Sequence, residues 1–527
     1  MLVSMMLVSI LFACTYSNFS PSSNPPDRIT IGTTSRIRTL DPADNSEFFP
    51  SNILYNTTER LYTYKLGTTE LVPQLAADFP KVSDDGLVYT IPVRTGIKFH
   101  DRTDFDARAM AFSLRRFMRL QGAPSYVLSD VIEKIAAPTP TELIITLKQP
   151  LQFFPKLLAF TGAAAISPTV YKNITGFEPN KLIGTGPYQL TQYTEGSVLH
   201  LDAFPDYWGK KPENKGIDIQ FFSSGANLFN SFKTGGVDVA FQTLSPNQIR
   251  NLEVNAAKQG WTVASGQGGT ILYMALNVQQ PPLTDVRVRQ AIAAAIDRPL
   301  LQERVFQNQR GSLYSLLPNT LPDYKPTFQK LYGDGNGELA RKLLTEAGYS
   351  EQNPARISLW YPPQYAGNGD LVMSTLKAAM ERAVGKILQI KTERVENTVG
   401  YGFLEQGAYP AYLLDWVPDF FDPDNYIKPF LDCEETKENF CTKGSTKTQG
   451  SFYSSTEMNK LIAQERQERD LNKRSLVLTQ IQELLAKDVP LIPLWQNKEY
   501  AFARPSLSGV TVEPTQQLPY WTIKRAS

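Results

Sequence analysis

The sequence predicts an α/β protein with more than one lobe, and three observations carry that prediction. The chain has 527 residues, well past the ~250–300 at which a single hydrophobic core stops growing. From residue 271 onward, apolar strand-like runs alternate with helical patterns, the order expected of a mixed sheet covered by helices. The run ILYMALNV, which begins at Ile271, is apolar almost throughout, as in a strand buried on both faces.

Composition narrows the class. Hydrophobic residues make up 42% and charged residues 20%, the balance of an ordinary globular protein. A net charge of +1 gives no electrostatic reason to expect nucleic acid. The N-terminal run MLVSMMLVSILFA, residues 1–13, has the length of a signal-peptide core and is too short to span a bilayer. It ends at Cys14 after Leu-Phe-Ala, which resembles a bacterial lipobox, where the cysteine is lipidated and becomes the mature N-terminus. Two features depart from that pattern: no basic residue precedes the apolar run, and Phe12 is bulky for its place. Residues 14–27, rich in Ser, Pro and Asn, read as a flexible tether. With Cys14 acylated, Cys433 and Cys441 remain in a polar insert, and a disulfide between them suits an oxidising compartment. A zinc site would need further ligands, and the only histidines are His100 and His200, so no metal or cofactor is expected.

The elements follow in order. RITIG at 28–32 reads as the first strand of the mature chain. After the turn at Asp85-Gly86, Leu87, Tyr89, Ile91 and Val93 alternate as a half-buried strand. Thr103 and Asp104 occupy an N-cap position before Phe105, Ala109, Phe112 and Phe117 at helical spacing. Leu143, Ile145 and Leu147 alternate, as do Ile217, Ile219 and Phe221, then Val237, Val239 and Phe241. The turn at Gly184 and Gly186 is followed at once by Pro187 and by no third glycine, so it does not read as a nucleotide loop. Val288, Ile292, Ala295 and Ile296 share a helical face, and helical patterns recur at 338–347, 370–384 and 456–488. Strand-like runs at 357–361 and 387–390 lie between them.

One stretch concentrates polar chemistry. In AYLLDWVPDFFDPDNY, residues 411–426, an apolar strand runs into Asp415, Asp419, Asp422 and Asp424, interleaved with Trp416, Phe420, Phe421 and Tyr426. Pro418 and Pro423 forbid continuation of strand or helix. Asp419 therefore falls just past the carboxyl end of a buried strand, where open α/β sheets bind ligands. Asp422 and Asp424 lack the alternating oxygen ligands of a calcium loop and read as turn and capping residues.

Five blocks in order, LVPQLA with DDGLVYTIPVRTGIKFHD, GTGPYQL with PDYWG, LNVQQPPLTDVRVRQAIAAAIDR, ARKLLTEAGY and DWVPDFFDPDNY, resemble those of family 5 extracellular solute-binding proteins. These are the dipeptide- and oligopeptide-binding receptors of bacterial ABC importers. The resemblance covers nearly all of the mature chain; the family's FHDG turn reads FHDR here. It implies a two-lobed clamshell of the type II periplasmic-binding-protein class, with an extra subdomain in the first lobe. The expected boundaries are 28–60, 184–270 and 505–527 for lobe 1, 61–183 for the subdomain and 271–504 for lobe 2. It further implies that the aspartate of a W-x-x-D segment, here Asp419, pairs with a peptide's α-ammonium, with Trp416 and Phe420 as walls or supports of the cleft. Some dipeptide-selective members carry an arginine after the ISLWY-like strand; here that segment, YPPQYAGNGDLV, has no basic residue. A longer peptide, or a ligand without a fixed C-terminal carboxylate, is therefore favoured over a strict dipeptide.

The expected partners are a peptide ligand, an ABC permease and, through lipid at Cys14, the extracytoplasmic face of the membrane, with the protein a monomer. A metal chelate, an oligosaccharide or an opine-like solute is the alternative on the same fold. A secreted hydrolase is the remote one, since His100 lies in a shared FHD motif and His200 on a strand, leaving no base for a nucleophile.

Overall fold

The structure is a computed structural model that describes residues 27–172, 175–363 and 369–526. The apolar leader, Cys14 and nearly all of the tether lie outside the described residues, as does part of the YPPQYAGNGDLV segment.

Two long strands, Thr262–Leu276 and Leu491–Ala503, organise the molecule. They pair antiparallel over most of their length within a sheet of eleven strands among the described residues. At one end Thr262–Gln267 faces Lys498–Ala503, and the sheet continues through Val239–Phe241 and Arg28–Thr33 to Gly216–Phe221. A hairpin of Tyr188–Thr194 and Val198–Ala203 closes that edge. At the other end Ile271–Leu276 pairs with Ala411–Trp416, beyond which lie Ala355–Tyr361 and Leu388–Arg394, all parallel to one another. The first half of Thr262–Leu276 is partly exposed, whereas every residue from Gly268 to Leu276 is buried. The sequence run beginning at Ile271 is therefore only the covered half of a longer strand.

The register breaks between Gln267 and Ile271, where the two halves of the sheet meet. The backbone is closely approached there. A Cβ at Gly268 would lie 2.2 Å from the Gln516 side chain, and one at Gly269 would lie 2.6 Å from Pro418 and from the Tyr426 hydroxyl. Glycine is the residue that lets these chains come together.

Each lobe has its own core. The core of the second lobe gathers residues from Ile271 to Trp495, and that of the first runs from Ile29 to Ile523, including the C-terminal Leu518 and Tyr520. A third core belongs to the subdomain, where Val88–Pro92, Glu142–Leu147 and Ile132–Thr139 form an antiparallel sheet with Lys81–Val82. The helix Ala107–Leu120 packs on that sheet. This is the two-lobed clamshell with an added subdomain.

Two local expectations are corrected. Asp104 and Phe105 form a short strand with Ile97–Lys98, and the helix begins two residues later. Asp106 is the cap, because its carboxylate accepts from the amides of Arg108 and Ala109, while Asp104 is taken up by Lys98. The pattern at 456–488 is two helices, Thr456–Gln467 and Leu471–Asp488, the second capped by Asp470.

Candidate ligand-binding site

The strand Ala411–Trp416 is buried over its first four residues and lies between two other strands, so its carboxyl end opens where the lobes meet. Pro418 supplies no amide for a further ladder bond, and the chain leaves the sheet. A single 3-10 turn, Pro423–Tyr426, then sets the loop, with the Asp422 carboxylate accepting from the Asp424 amide at 3.0 Å. Asn425 staples the loop to its strand. Its side-chain oxygen accepts from the Trp416 indole N–H at 3.2 Å and from the Asp419 amide at 3.1 Å. Both partners only donate, so the orientation of the Asn425 amide is fixed. The Trp416 ring stands edge-on to Phe430, at 5.1 Å between centroids.

From this anchorage the loop reaches across to the subdomain. The Tyr126 hydroxyl donates to Asp419 Oδ2 at 2.5 Å. Phe420 stacks on Phe153, with centroids 5.9 Å apart and planes 16° apart, and is part of the subdomain core rather than that of its own lobe. The Phe421 amide donates to the Tyr64 hydroxyl at 3.1 Å. Lys156 meets Asp422 at 2.9 Å.

The acidic residues of the loop divide by partner. Asp422, fully buried, holds Arg474 on one oxygen at 2.5 Å and shares the other between Arg474 and Lys156. Asp424 is paired with Arg466. These two are therefore not turn residues alone: each closes an ion pair with one of the helices between 456 and 488. Asp419 makes no salt bridge among the described residues. Its carboxylate has the neutral Tyr126 hydroxyl instead. Titration follows from this difference. Burial raises the Asp419 carboxyl to about 6, although Tyr126 and Asn425 pull the other way. Burial would raise Asp422 too, but the Arg474 and Lys156 charges overcome it and hold that carboxyl at about 2.

Asp419 is half-buried and stands on the wall of two adjoining cavities that share Ser46, Glu47, Phe48 and Val417. The larger, about 1040 Å³, lies between Tyr126, Val127 and Phe153 of the subdomain and Trp416, Phe420 and Asn425 of the loop. The smaller, about 70 Å³, is lined by Tyr55, Arg60 and Tyr64 opposite Asp419. Trp416, Asp419 and Phe420 are thus brought to one cavity. A half-buried carboxylate beside aromatic walls, lacking a cation among the described residues, favours a cationic group on whatever fills the space.

Other singled-out residues lie elsewhere. Cys433 and Cys441 are joined by a disulfide, with Cα atoms 5.7 Å apart, across the hairpin Glu435–Lys437 and Phe440–Lys443. Thr442 and Lys443 of that hairpin reach the rim of the larger cavity. His100 is packed against the Gly184–Gly186 turn, bonded to the Gly184 amide and the Gly186 carbonyl. His200 is paired with Asp218. No group of residues able to hold a metal ion occurs among the described residues, and no described helix is long and apolar enough to cross a membrane. Tyr126, Lys156, Arg466 and Arg474 carry no motif or periodic signal that marks them in the sequence, and Asn425 lies within the DWVPDFFDPDNY block without anything there to mark its stapling role. Their roles follow from tertiary contacts.

Comparison with known proteins places these features. A model of bacterial extracellular solute-binding proteins, family 5 (middle), matches residues 70–438, more than half of the chain. The dipeptide-binding protein of Escherichia coli strain K12 is 28% identical over 512 residues, 89% of this chain and 90% of that protein. The glutathione-binding protein GsiB of Shigella flexneri is 26% identical over 505 residues, 92% of each. Among solved structures, the fold resembles the periplasmic binding protein DppA of Helicobacter pylori in complex with the peptide STSA. The TM-score is 0.77 and the identity 22%, with 95% of this chain and 98% of that one covered.

Proposed function

Because the chain belongs to the family 5 bacterial extracellular solute-binding proteins, we propose that it captures peptides longer than two residues in its interlobe cleft and hands them to the permease of an ABC importer. The observation that carries this reading is Asp419. Among the described residues it is the carboxylate of the loop that faces the cavities without a cation, while Asp422 and Asp424 are already neutralised by arginines. An engulfed α-ammonium would supply the missing charge. A charge-assisted bond contributes roughly 1.5–3 kcal/mol, whereas micromolar affinity requires about 8. The remainder would come from the aromatic walls, main-chain hydrogen bonds to an extended ligand, and bridging water. The larger cavity supports the length: about 1040 Å³ stands at the top of the range of ~300–1,000 Å³ usual for small-molecule sites.

In this reading Trp416 and Phe420 wall the cleft. Residues 28–60, 184–270 and 505–527 form the first lobe, 61–183 the subdomain and 271–504 the second lobe. The protein binds rather than catalyses, acts as a monomer, and is held at the extracytoplasmic face by lipid on Cys14. Native mass spectrometry of the purified protein tests the ligand class: a retained species with peptide masses is expected, and a metal chelate or sugar would overturn the reading. The Cys14→Ser variant should appear in the soluble fraction, and its retention in membranes would overturn the anchor.

A further inference from the structure

The smaller cavity contains a second charge that the ammonium reading leaves unused. Arg60 is 1% exposed, yet no carboxylate forms a salt bridge with it among the described residues. Its guanidinium lies over the Tyr55 ring at 5.3 Å. Its hydrogen bonds, to the Thr58 carbonyl at 3.5 Å and the Thr63 hydroxyl at 3.4 Å, are at the long limit, and Nε has no partner among the described residues. Neighbouring acids are engaged elsewhere. Glu59 accepts from Thr185, Tyr207 and Trp208 at 2.8–3.0 Å, and Glu47 is paired with Arg38. An arginine buried in this way is costly unless something completes its hydrogen bonds. Planar, with five donors, it suits a carboxylate taken up in two-point fashion.

We propose that Arg60 is a second charged anchor, receiving a ligand carboxylate in the small cavity while Asp419 holds the ammonium at its mouth. This deepens the peptide reading and rests on it. The cavity, about 70 Å³, has room for roughly five water-sized guests, which is a side-chain head group and not a run of chain. The peptide therefore continues into the larger cavity, and the carboxylate at Arg60 belongs to the first residue. An acidic first side chain supplies it. A C-terminal carboxylate folded back into the cavity is the other source of the same chemistry, and the test separates the two.

Calorimetry on the purified protein with Glu-Ala-Ala, Gln-Ala-Ala and the C-terminal amide of each provides that test. The wild type should bind the Glu-first peptides about tenfold or more tightly than the Gln-first ones, since a charge-assisted bidentate pair replaces a neutral bond. Amidation should change little. In Arg60→Gln the preference should collapse to about twofold or less, with Gln-Ala-Ala still bound, and a cooperative urea unfolding transition in the variant shows separately that it is folded. Arg60→Lys should restore part of the preference. A wild-type preference that follows the C-terminal carboxylate and vanishes in Arg60→Gln would keep Arg60 as an anchor and overturn the first-residue assignment. Wild-type indifference to both carboxylates would overturn the anchor itself. Peptide binding that depends on Asp419 yet is unchanged in Arg60→Gln would sink this inference alone, and absence of binding to every peptide would sink the peptide reading with it.

Discussion

Asp419 and Asp422 are three residues apart on one loop, both within the protein, and the structure treats them in opposite ways. Asp422 points into the seam with the 456–488 helices, where Arg474 and Lys156 hold its carboxyl at about 2. Asp419 points at the cavities, has only neutral donors, and is raised to about 6 by burial. One face of the loop is a finished electrostatic structure, and the other leaves Asp419 without a counter-charge among the described residues. The two carboxylates titrate in opposite directions because one has its counter-charge built in and the other does not.

That contrast can be broken at several points. Asp422→Asn should be the most damaging to stability, by about 3–5 kcal/mol in urea unfolding, because Arg474 and Lys156 lose a buried partner. Asp419→Asn should do the reverse. Its folded-state value lies above the ordinary one, so its contribution to stability is present at low pH and lost as pH rises through about 6. The ionised carboxylate is thus a burden at pH 7, and the variant should be as stable as the wild type or more stable, by about 1–2 kcal/mol. Asp422 is depressed, so its stabilisation should persist through mildly acidic pH and fail only as pH falls from about 4 toward 2.

Ligand affinity should reflect the same difference. An ammonium ligand needs Asp419 ionised, so affinity should fall by about tenfold between pH 7 and pH 5. An ordinary carboxylate in this position would show no such loss above about pH 4.5. Proton release on binding, read by calorimetry in buffers of differing ionisation enthalpy, checks the assignment. The smallest effect is expected from Asn425→Ala, which frees the Trp416 ring and the Asp419 backbone without removing the Asp419 charge. A loss of about fivefold in affinity corresponds to one positioning hydrogen bond.

Much of this architecture is legible in the chain. The apolar run from Ile271 and the 411–414 run are adjacent central strands because sequences without alternation are buried on both faces. Alternation marks Leu143, Ile145 and Leu147, which point into the subdomain core. The cap at Asp106 is misplaced by sequence because Thr103, Asp104 and Asp106 are all capable cap residues, and only the tertiary pairing of Asp104 with Lys98 decides among them. The acidic loop is visible as a cluster, but which carboxylate stays without a cation is not. Lys156, Arg466 and Arg474 come from distant segments, and the stacking of Phe420 on Phe153 carries the loop into the subdomain core. Local sequence records the groups that need partners, and the tertiary fold decides which of them receive one.

The most direct test compares a peptide with its N-acetylated form against the wild type and Asp419→Asn by calorimetry at pH 7. If Asp419 holds an ammonium, acetylation and the substitution should each cost about 10²–10³-fold, and together little more than either alone, since both remove the same pair. Losses that multiply, or wild-type affinity for the acetylated peptide, would show that the carboxylate of Asp419 answers some other group.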